Sequence, residues 1–396
     1  MSQPLRVMQV VGRMMGGGVE ATVMNHYRHI DHSRVQFDFV VQSDSVAVPA
    51  DEIKDLGGRI FTVPSYSNPL AYMCACRDVF AKYKPLIVHS HMNAISVFTL
   101  RAAKQAKVPI RIAHSHSTAN PGEKVKTAVK NVLRPFSRVY PTHLAACGTY
   151  SARWLFGDKA VAAGQVKIIR NAIELERFRY DFSARKLLRT EIDAKPDTLV
   201  VGQVGRFSSQ KNQLFSMNVW TELLKIKPNS LLVMLGVGDD LDKVKERAHK
   251  LGIDHTIRFM GMRDDANKWY SAFDALLFPS LYEGLPLTAI EAQAAALPIV
   301  ASNQITNEAF LIPNICNIRK LSAGSAAWAY ALAGAAEKGA AIMRSKDNNI
   351  RPLAAAGYDI SKSARNLADW YEQLASGTKQ KYSSEHSFVS SWGRFR

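Results

Sequence analysis

Short apolar runs alternate with helical stripes along most of this chain. Leu5–Val11 (LRVMQVV) reads as a buried strand, and Gly12–Gly18 (GRMMGGG) as the turn after it. Val19, Val23, Met24, Tyr27 and Ile30 then recur at helical spacing. Further strand-like runs stand at Phe37–Val41, Arg59–Val63, Leu86–His89, Ile110–Ala113, Leu144–Ala146 and Val166–Ile169. The pattern pauses in the charged, irregular stretch Glu174–Pro196. It restarts at Leu199–Val204 and continues at Leu231–Leu235, Ile257–Met260, Ala275–Phe278 and Ile299–Ala301. Repeated strand–helix alternation predicts parallel sheets covered on both faces. The expected fold is therefore α/β: two doubly wound Rossmann-like domains facing across a cleft, with ligands at the carboxyl ends of the strands. The expected boundaries are a first domain over residues 1–176, a linker over 177–197 and a second domain over 198–360. A last helix over 361–376, striped by Ala364, Leu367, Ala368, Tyr371 and Leu374, is expected to pack back on the first domain. Residues 377–396, Ser-rich and poor in aliphatics, are expected to form a flexible tail.

Composition narrows the class. The chain has 396 residues, 47% apolar, too apolar for a disordered protein. Its four cysteines, Cys74, Cys76, Cys147 and Cys316, exclude a disulfide-dense scaffold and show no zinc spacing. The N-terminal stretch has no long apolar run or small-residue cleavage site, so the expectation is a cytoplasmic protein. Ala323–Ala336 is apolar but shorter than the ~20 residues of a membrane span, and reads as a buried helix.

Charge adds a surface. Lys plus Arg is 51 against 34 acids, a formal +17. Residues 101–138 hold nine of these cations and one acid, Glu123. Lys126, Lys130, Arg134 and Arg138 recur every four residues, with Val125, Val129, Val132 and Phe136 on another face, and Pro135 kinks or ends the helix. A basic amphipathic helix suits an anionic membrane surface, so the protein is expected to sit peripherally on the inner face of the membrane. The competing expectation is a helix packed on the core with a solvated basic side. No nucleic-acid motif accompanies the charge, and no nucleic-acid partner is expected.

Three segments carry chemistry. Gly16-Gly17-Gly18 ends the first strand without the spacing of the dinucleotide fingerprint, and lets backbone approach an anion at a helix start. Val204–Asn212 (VGRFSSQKN) turns at Gly205 and brings Arg206 and Lys211 toward one spot, as a diphosphate needs. Pro279–Pro298 (PSLYEGLPLTAIEAQAAALP) places Glu283 in a turn after a strand and Glu291 eight residues on, inside a helix of buried-looking alanines. A carboxylate in that setting needs a partner.

Together these residues resemble glycosyltransferase family 4, retaining enzymes of the GT-B fold, over nearly the whole chain to about Ala375. The opening GGGVEATVMNHYRHID, the loop GRFSSQKN, the segment LGVGDD and the Glu-x7-Glu pair carry the resemblance, which is nearest to bacterial capsule and exopolysaccharide transferases. Ala172 and Glu174 depart from the Asn-Gly-Ile-Asp run of many relatives. The resemblance implies a nucleotide-sugar donor, with uridine by family habit, and a lipid-linked or glycan acceptor. Arg206 and Lys211 would hold the diphosphate, Glu283 the sugar hydroxyls and Glu291 the ribose diol. Gly284, Leu285, Leu287 and Thr288 would offer backbone at a helix N-terminus, Met262 or Arg263 would line the base pocket through the main chain, and Gly16, Gly17 and Gly205 would approach the donor. His116 matches a family histidine near the transferred sugar, while His114, two residues earlier on the same strand, points the same way, so the choice between them stays open. His89 and His91 bring a metal to mind, but no nearby carboxylate or cysteine completes a ligand set, and the family needs no metal or other cofactor. One alternative function is a non-catalytic basic nucleotide binder on membranes or nucleic acid. Another is a glycoside hydrolase, which needs carboxyls ~5–9.5 Å apart, whereas eight helical residues span ~12 Å.

Overall fold

The computed structural model describes residues 3–117, 124–341 and 349–392, which divide into two compact units. The first unit holds residues 3–117, 125–172 and 360–392; the second holds 124, 173–341 and 349–359.

The first sheet contains β1 (Leu5–Gly12), β2 (Val35–Gln42), β3 (Arg59–Val63), β4 (Ile87–Ser90), β5 (Ile110–Ser115), β6 (His143–Ala146) and β7 (Val166–Ile168). Its order is β3-β2-β1-β4-β5-β6-β7, parallel throughout. Successive side chains leave a strand on opposite faces, so Val7, Ile87 and Ile112 join Tyr27, Leu367 and Tyr371 on one side. Met8, Val88 and Ala113 join Phe80 and Leu100 on the other.

The second sheet contains β8 (Leu199–Val204), β9 (Ser230–Leu235), β10 (Ile257–Gly261), β11 (Ala275–Phe278), β12 (Ile299–Ser302) and β13 (Cys316–Arg319). Its order is β10-β9-β8-β11-β12-β13, also parallel. Val201, Leu232 and Leu277 pack with Trp220 and Trp328. Trp328 lies on Gly324–Ala341, the Ala-rich helix, one face of which packs in this core while Tyr330 on the other is exposed. No helix among the described residues is long and apolar enough to cross a membrane.

Strand order reverses between β1 and β4 in the first unit and between β8 and β11 in the second. Open α/β sheets bind ligands at such switch points, beyond the carboxyl ends of the strands.

Three expectations need correction. The stretch 177–197 is not a linker. It holds a helix, Phe182–Glu191, whose first turn is capped by Asp181 accepting from the backbone of Ser183 and Ala184. Arg185 and Arg189 bind Asp274 from it at 2.5 and 3.1 Å, so it belongs to the second unit, which begins at Ile173. The first unit boundary accordingly falls at 172/173 rather than at 176/177, while the second, at 359/360, lies within one residue of the expected one. The last helix does not end near 376: it runs Ile360–Trp392, through most of the expected tail. Strand β13 carries no apolar run that marks it in the sequence, because CNIR is polar and at most half-buried, as suits an edge position.

The basic helix spans Lys124–Leu133 and tightens into a 3-10 turn, Arg134–Arg138, at Pro135. The side chains of Val125 and Lys126 lie outside the described residues. Val129, Val132, Phe136 and Val139 are exposed, Val132 at 68%, so these apolar side chains do not pack on the core, while Leu133 turns inward. Arg134 stands over the Trp154 ring, and Arg138 donates to the Phe156 carbonyl.

Candidate active site

In the second unit, β8 ends at the loop Gly205–Asn212 and β11 at the loop Pro279–Pro286. Gly205 has φ +141°, and a Cβ there would meet the Lys211 side chain at 3.0 Å. A Cβ at Gly236, the first residue beyond β9, would lie 2.2 Å from the Gly205 carbonyl, so the glycine segments of the two strands need each other's small size. The loops are tied together. Leu281 N–H donates to the Gln210 carbonyl at 2.8 Å, and the Asn212 amide donates to the Pro279 carbonyl at 3.2 Å.

This stitching places Lys211 Nζ 2.7 Å from Glu283 Oε1, with both side chains largely buried. Gln210 Nε2 donates to Glu283 Oε2 at 3.1 Å, and Lys211 also lies over the Phe278 ring. Arg206, two residues past β8, is exposed. Gly284 and Leu285 are buried in the turn, and Leu287 and Thr288 open the helix Leu287–Ala294, whose N-terminus has no side-chain cap. That end presents backbone N–H groups and the positive dipole end beside Lys211 and Glu283.

Glu291 lies on the same helix and is only partly accessible. Its partner is Tyr270, whose hydroxyl donates to Oε2 at 2.5 Å. Burial pushes the Glu291 carboxyl above its ordinary range, against the Tyr270 hydrogen bond and the charges of Lys211 and Arg177. Sequence reasoning missed both Gln210 and Tyr270. Gln210 stands inside the flagged QKN run, but nothing in the sequence joins Tyr270 to Glu291. Met262 is 74% exposed after β10. The Arg263 side chain is engaged elsewhere, donating to Asp265 at 2.8 Å and Glu191 at 2.9 Å.

In the first unit, Gly16 takes φ +73° in the turn after β1, and Gly17 precedes the helix Gly18–His29 as its N-cap. The Glu20 carboxylate accepts from Met15 N–H at 3.0 Å, so an acid already stands at this loop.

The largest surprise of the first unit is a buried row of imidazoles. The register of β1, β4 and β5 brings Gln9, His89, His91, His114 and His116 to one face, under Tyr371 of the last helix. His89 bonds His114 at 3.0 Å, His91 bonds His116 at 2.8 Å, and the His114 and His116 rings stack at 3.9 Å. His26, on the helix Gly18–His29, bonds Ser363 of the last helix. Desolvation holds His89, His91 and His114 well below their ordinary range, and lowers His116 to about 3 and His26 to about 4. All five are neutral at pH 7. The structure distinguishes the two histidines of IAHSHS: His114 lies within β5, paired to His89, whereas His116 follows the strand end. His114, from the neighbouring strand, brings a ring nitrogen within 4.8 Å of those of His89 and His91. These distances would suit a small metal ion. Hydrogen bonds to each other, Tyr371 and Gln9 already occupy the ring nitrogens of His89 and His91, and no carboxylate or thiolate joins the group among the described residues.

Comparison with known proteins follows the two units. The model for glycosyl transferases group 1 matches residues 184–315, and that for a glycosyl transferase 4-like domain matches residues 17–172. EpsF of Bacillus subtilis (strain 168), which carries a glycosyltransferase name, is 33% identical over 93% of this chain and 97% of its own. The UDP-Gal:alpha-D-GlcNAc-diphosphoundecaprenol alpha-1,3-galactosyltransferase of Escherichia coli is 24% identical over 72% of this chain and 76% of its own. Among solved structures, Anabaena Alr3699/HepE in complex with UDP-glucose aligns with a TM-score of 0.74 at 15% identity, covering 94% of this chain and 99% of that one. At that identity the likeness concerns the fold, GT-B.

Proposed function

The chain belongs to the glycosyl transferases group 1, and from that premise we propose that it moves a sugar from a UDP-sugar to a lipid-linked glycan, with retention at the anomeric carbon, during assembly of a surface polysaccharide. The observation that carries this reading is the buried Lys211–Glu283 pair at the β8/β11 switch point, with Arg206 on the same loop as Lys211 and an uncapped helix N-terminus just after Glu283. A diphosphate needs cations that are in place before the bond breaks, because its charge grows as it leaves. Arg206 and Lys211 supply two, so the reaction needs no metal ion. Glu283 and Gln210 bind sugar hydroxyls, Glu291 accepts from the ribose diol, and His116 meets a hydroxyl of the transferred sugar. The acceptor hydroxyl attacks the anomeric carbon on the face from which the diphosphate departs. The C–O bond to the diphosphate breaks, the new glycosidic C–O bond forms, and the departing phosphate oxygen takes the acceptor's proton. Uridine is supported by the UDP-glucose bound in the HepE structure, and a polyprenyl diphosphate acceptor by the name of the E. coli relative. The exposed Val129, Val132 and Phe136 beside Lys130 and Arg134 support docking on a membrane.

The test supplies UDP-hexoses and a GlcNAc-diphosphopolyprenol acceptor, and reads the anomeric linkage of the product by NMR. An α-donor should give an α-linkage, and activity should survive EDTA. Arg206→Ala and Lys211→Ala should each lower kcat by about 10²–10³ with a smaller change in KM. A β-linked product, or a full kcat with only a raised KM, contradicts the mechanism. UDP binding without any transfer would favour the non-catalytic alternative.

A further inference from the structure

Glu291 is held by one carboxylate oxygen and offers the other. Tyr270 Oη donates to Oε2 at 2.5 Å, whereas Oε1 has no hydrogen-bond partner among the described residues. The phenol comes from the helix Ala266–Ala272, which packs against the helix of Glu291. Tyr270 is 1% exposed, and Phe178 and Phe273 grip its ring edge-on, at 5.8 and 6.3 Å between centroids. Thr288, three residues before Glu291 and so on the same face of the helix, hydrogen-bonds the same phenol. A buried hydroxyl needs an acceptor, and the Glu291 carboxylate takes its proton. Of the ~four acceptor sites on a carboxylate one is then filled, which leaves enough for both hydroxyls of a vicinal diol. Donation from the phenol favours the ionised carboxyl, against the burial that disfavours it. The charges that act on Glu291 are Lys211, from the loop after β8, and Arg177, from the 3-10 turn Leu175–Phe178. The Arg177 carbonyl accepts from the Asn267 amide at 3.0 Å, and Glu174 and Glu176 pair with Arg177 and Arg179 at 3.9 and 2.7 Å. Lys268 and Arg351, on the other helices packed there, are exposed.

We propose that Tyr270 is a positioning residue for the nucleotide: its buried hydroxyl ties down Glu291 Oε2, so that the carboxylate meets the ribose diol in one orientation and in its ionised form. This role rests on the reading of Glu291 as the ribose contact, and adds what makes that contact competent. Its consequence is recognition of the diol that persists into mildly acid solution. Without the phenol the carboxyl is free to turn and takes its proton at a higher pH. A protonated carboxyl has fewer acceptor sites and makes weaker hydrogen bonds to hydroxyls than a carboxylate does.

The test measures affinities of the full chain for UDP and 2′,3′-dideoxy-UDP by calorimetry, from pH 5 to pH 8. Their ratio isolates the ribose hydroxyls, because both nucleotides carry the same diphosphate and titrate alike. Wild type should prefer UDP about ten- to a hundredfold. Tyr270→Phe, which deletes one oxygen and keeps the ring, should bind UDP about three- to tenfold more weakly at pH 7, with the dideoxy nucleotide nearly unchanged. Its preference should fall further toward pH 5, at a higher pH than any fall in wild type. Glu291→Gln has no carboxyl to titrate, so its low preference should not vary with pH, with or without Tyr270→Phe. A Tyr270→Phe variant with the wild-type ratio at every pH overturns the proposal. So does one that loses both nucleotides equally at all pH values, the mark of a merely structural tyrosine. If Glu291→Gln keeps the wild-type ratio, the ribose contact itself fails and the proposal with it. If Glu291→Gln loses the preference while Tyr270→Phe keeps it, only the part played by Tyr270 fails.

Discussion

Glu291 stands under two opposed demands. Its carboxylate is suited to a ribose diol, but burial makes the ionised form costly and raises its pKa. Because the folded value lies above the unfolded one, the folded protein holds this proton in a pH window where the unfolded chain has lost it. The contribution to stability is therefore full below the ordinary carboxyl value and is lost as pH rises through the raised one. At neutral pH the group costs stability, and Glu291→Gln, which can still accept from Tyr270, should raise Tm at pH 7–8 by a margin that shrinks toward pH 4. The same substitution should weaken UDP binding about ten- to a hundredfold, the loss expected for hydrogen bonds to a charged group. Thermal scans across pH and calorimetry with UDP check both. Unchanged affinity would remove the ribose assignment, and a pH-independent Tm difference would remove the burial argument. The eight-residue spacing marked both glutamates in the sequence, but their partners were not legible: Lys211 and Tyr270 reach Glu283 and Glu291 from elsewhere in the chain.

Elements show where local pattern was too weak to read. The helix Phe182–Glu191 looked like linker because its inward positions are few, with Ala184 and Leu188 buried while Phe182 and Leu187 are exposed. Its hold on the second unit is polar. Arg189, nearly buried, donates to Asp274 and to the carbonyls of Ala272, Lys195 and Thr198. Arg189→Met should strand those acceptors and destabilise the second unit by about 2–4 kcal/mol, and Arg185→Met by less, because Arg189 still binds Asp274. Denaturant unfolding of the two variants measures this; equal and negligible losses would show that the helix is held by its apolar contacts. The last helix outran its expected end for a different reason. Once the Tyr371 face is docked, each further residue adds a backbone hydrogen bond without a new nucleation cost, so a Ser-rich stretch can continue a helix that its composition would not start.

For the whole molecule, part of the +17 is concentrated in residues 101–138. The helix Lys124–Leu133 and the turn after it carry cations beside an uncovered row of Val129, Val132, Phe136 and Val139. Reversing Lys126, Lys130 and Arg134 to Glu should release the protein from anionic vesicles while leaving UDP binding intact, since each cation near such a surface is worth ~1 kcal/mol. Salt should weaken wild-type binding as the Debye length shrinks below ~8 Å. Co-sedimentation of the triple variant at wild-type levels would mean that the charge is only a solvated face. The sequence by itself determined the α/β class, twelve of the strands, and the loops that carry Arg206, Lys211 and Glu283, because alternation, strand-end glycines and charged loop residues are local properties of the chain. The tertiary structure alone decided the strand order, the unit to which residues 182–191 belong, and the meeting of Gln9, Tyr371 and four histidines. Those depend on which strands become neighbours and in what register, and burial then acts on whatever that register brings together, as it neutralises the imidazoles.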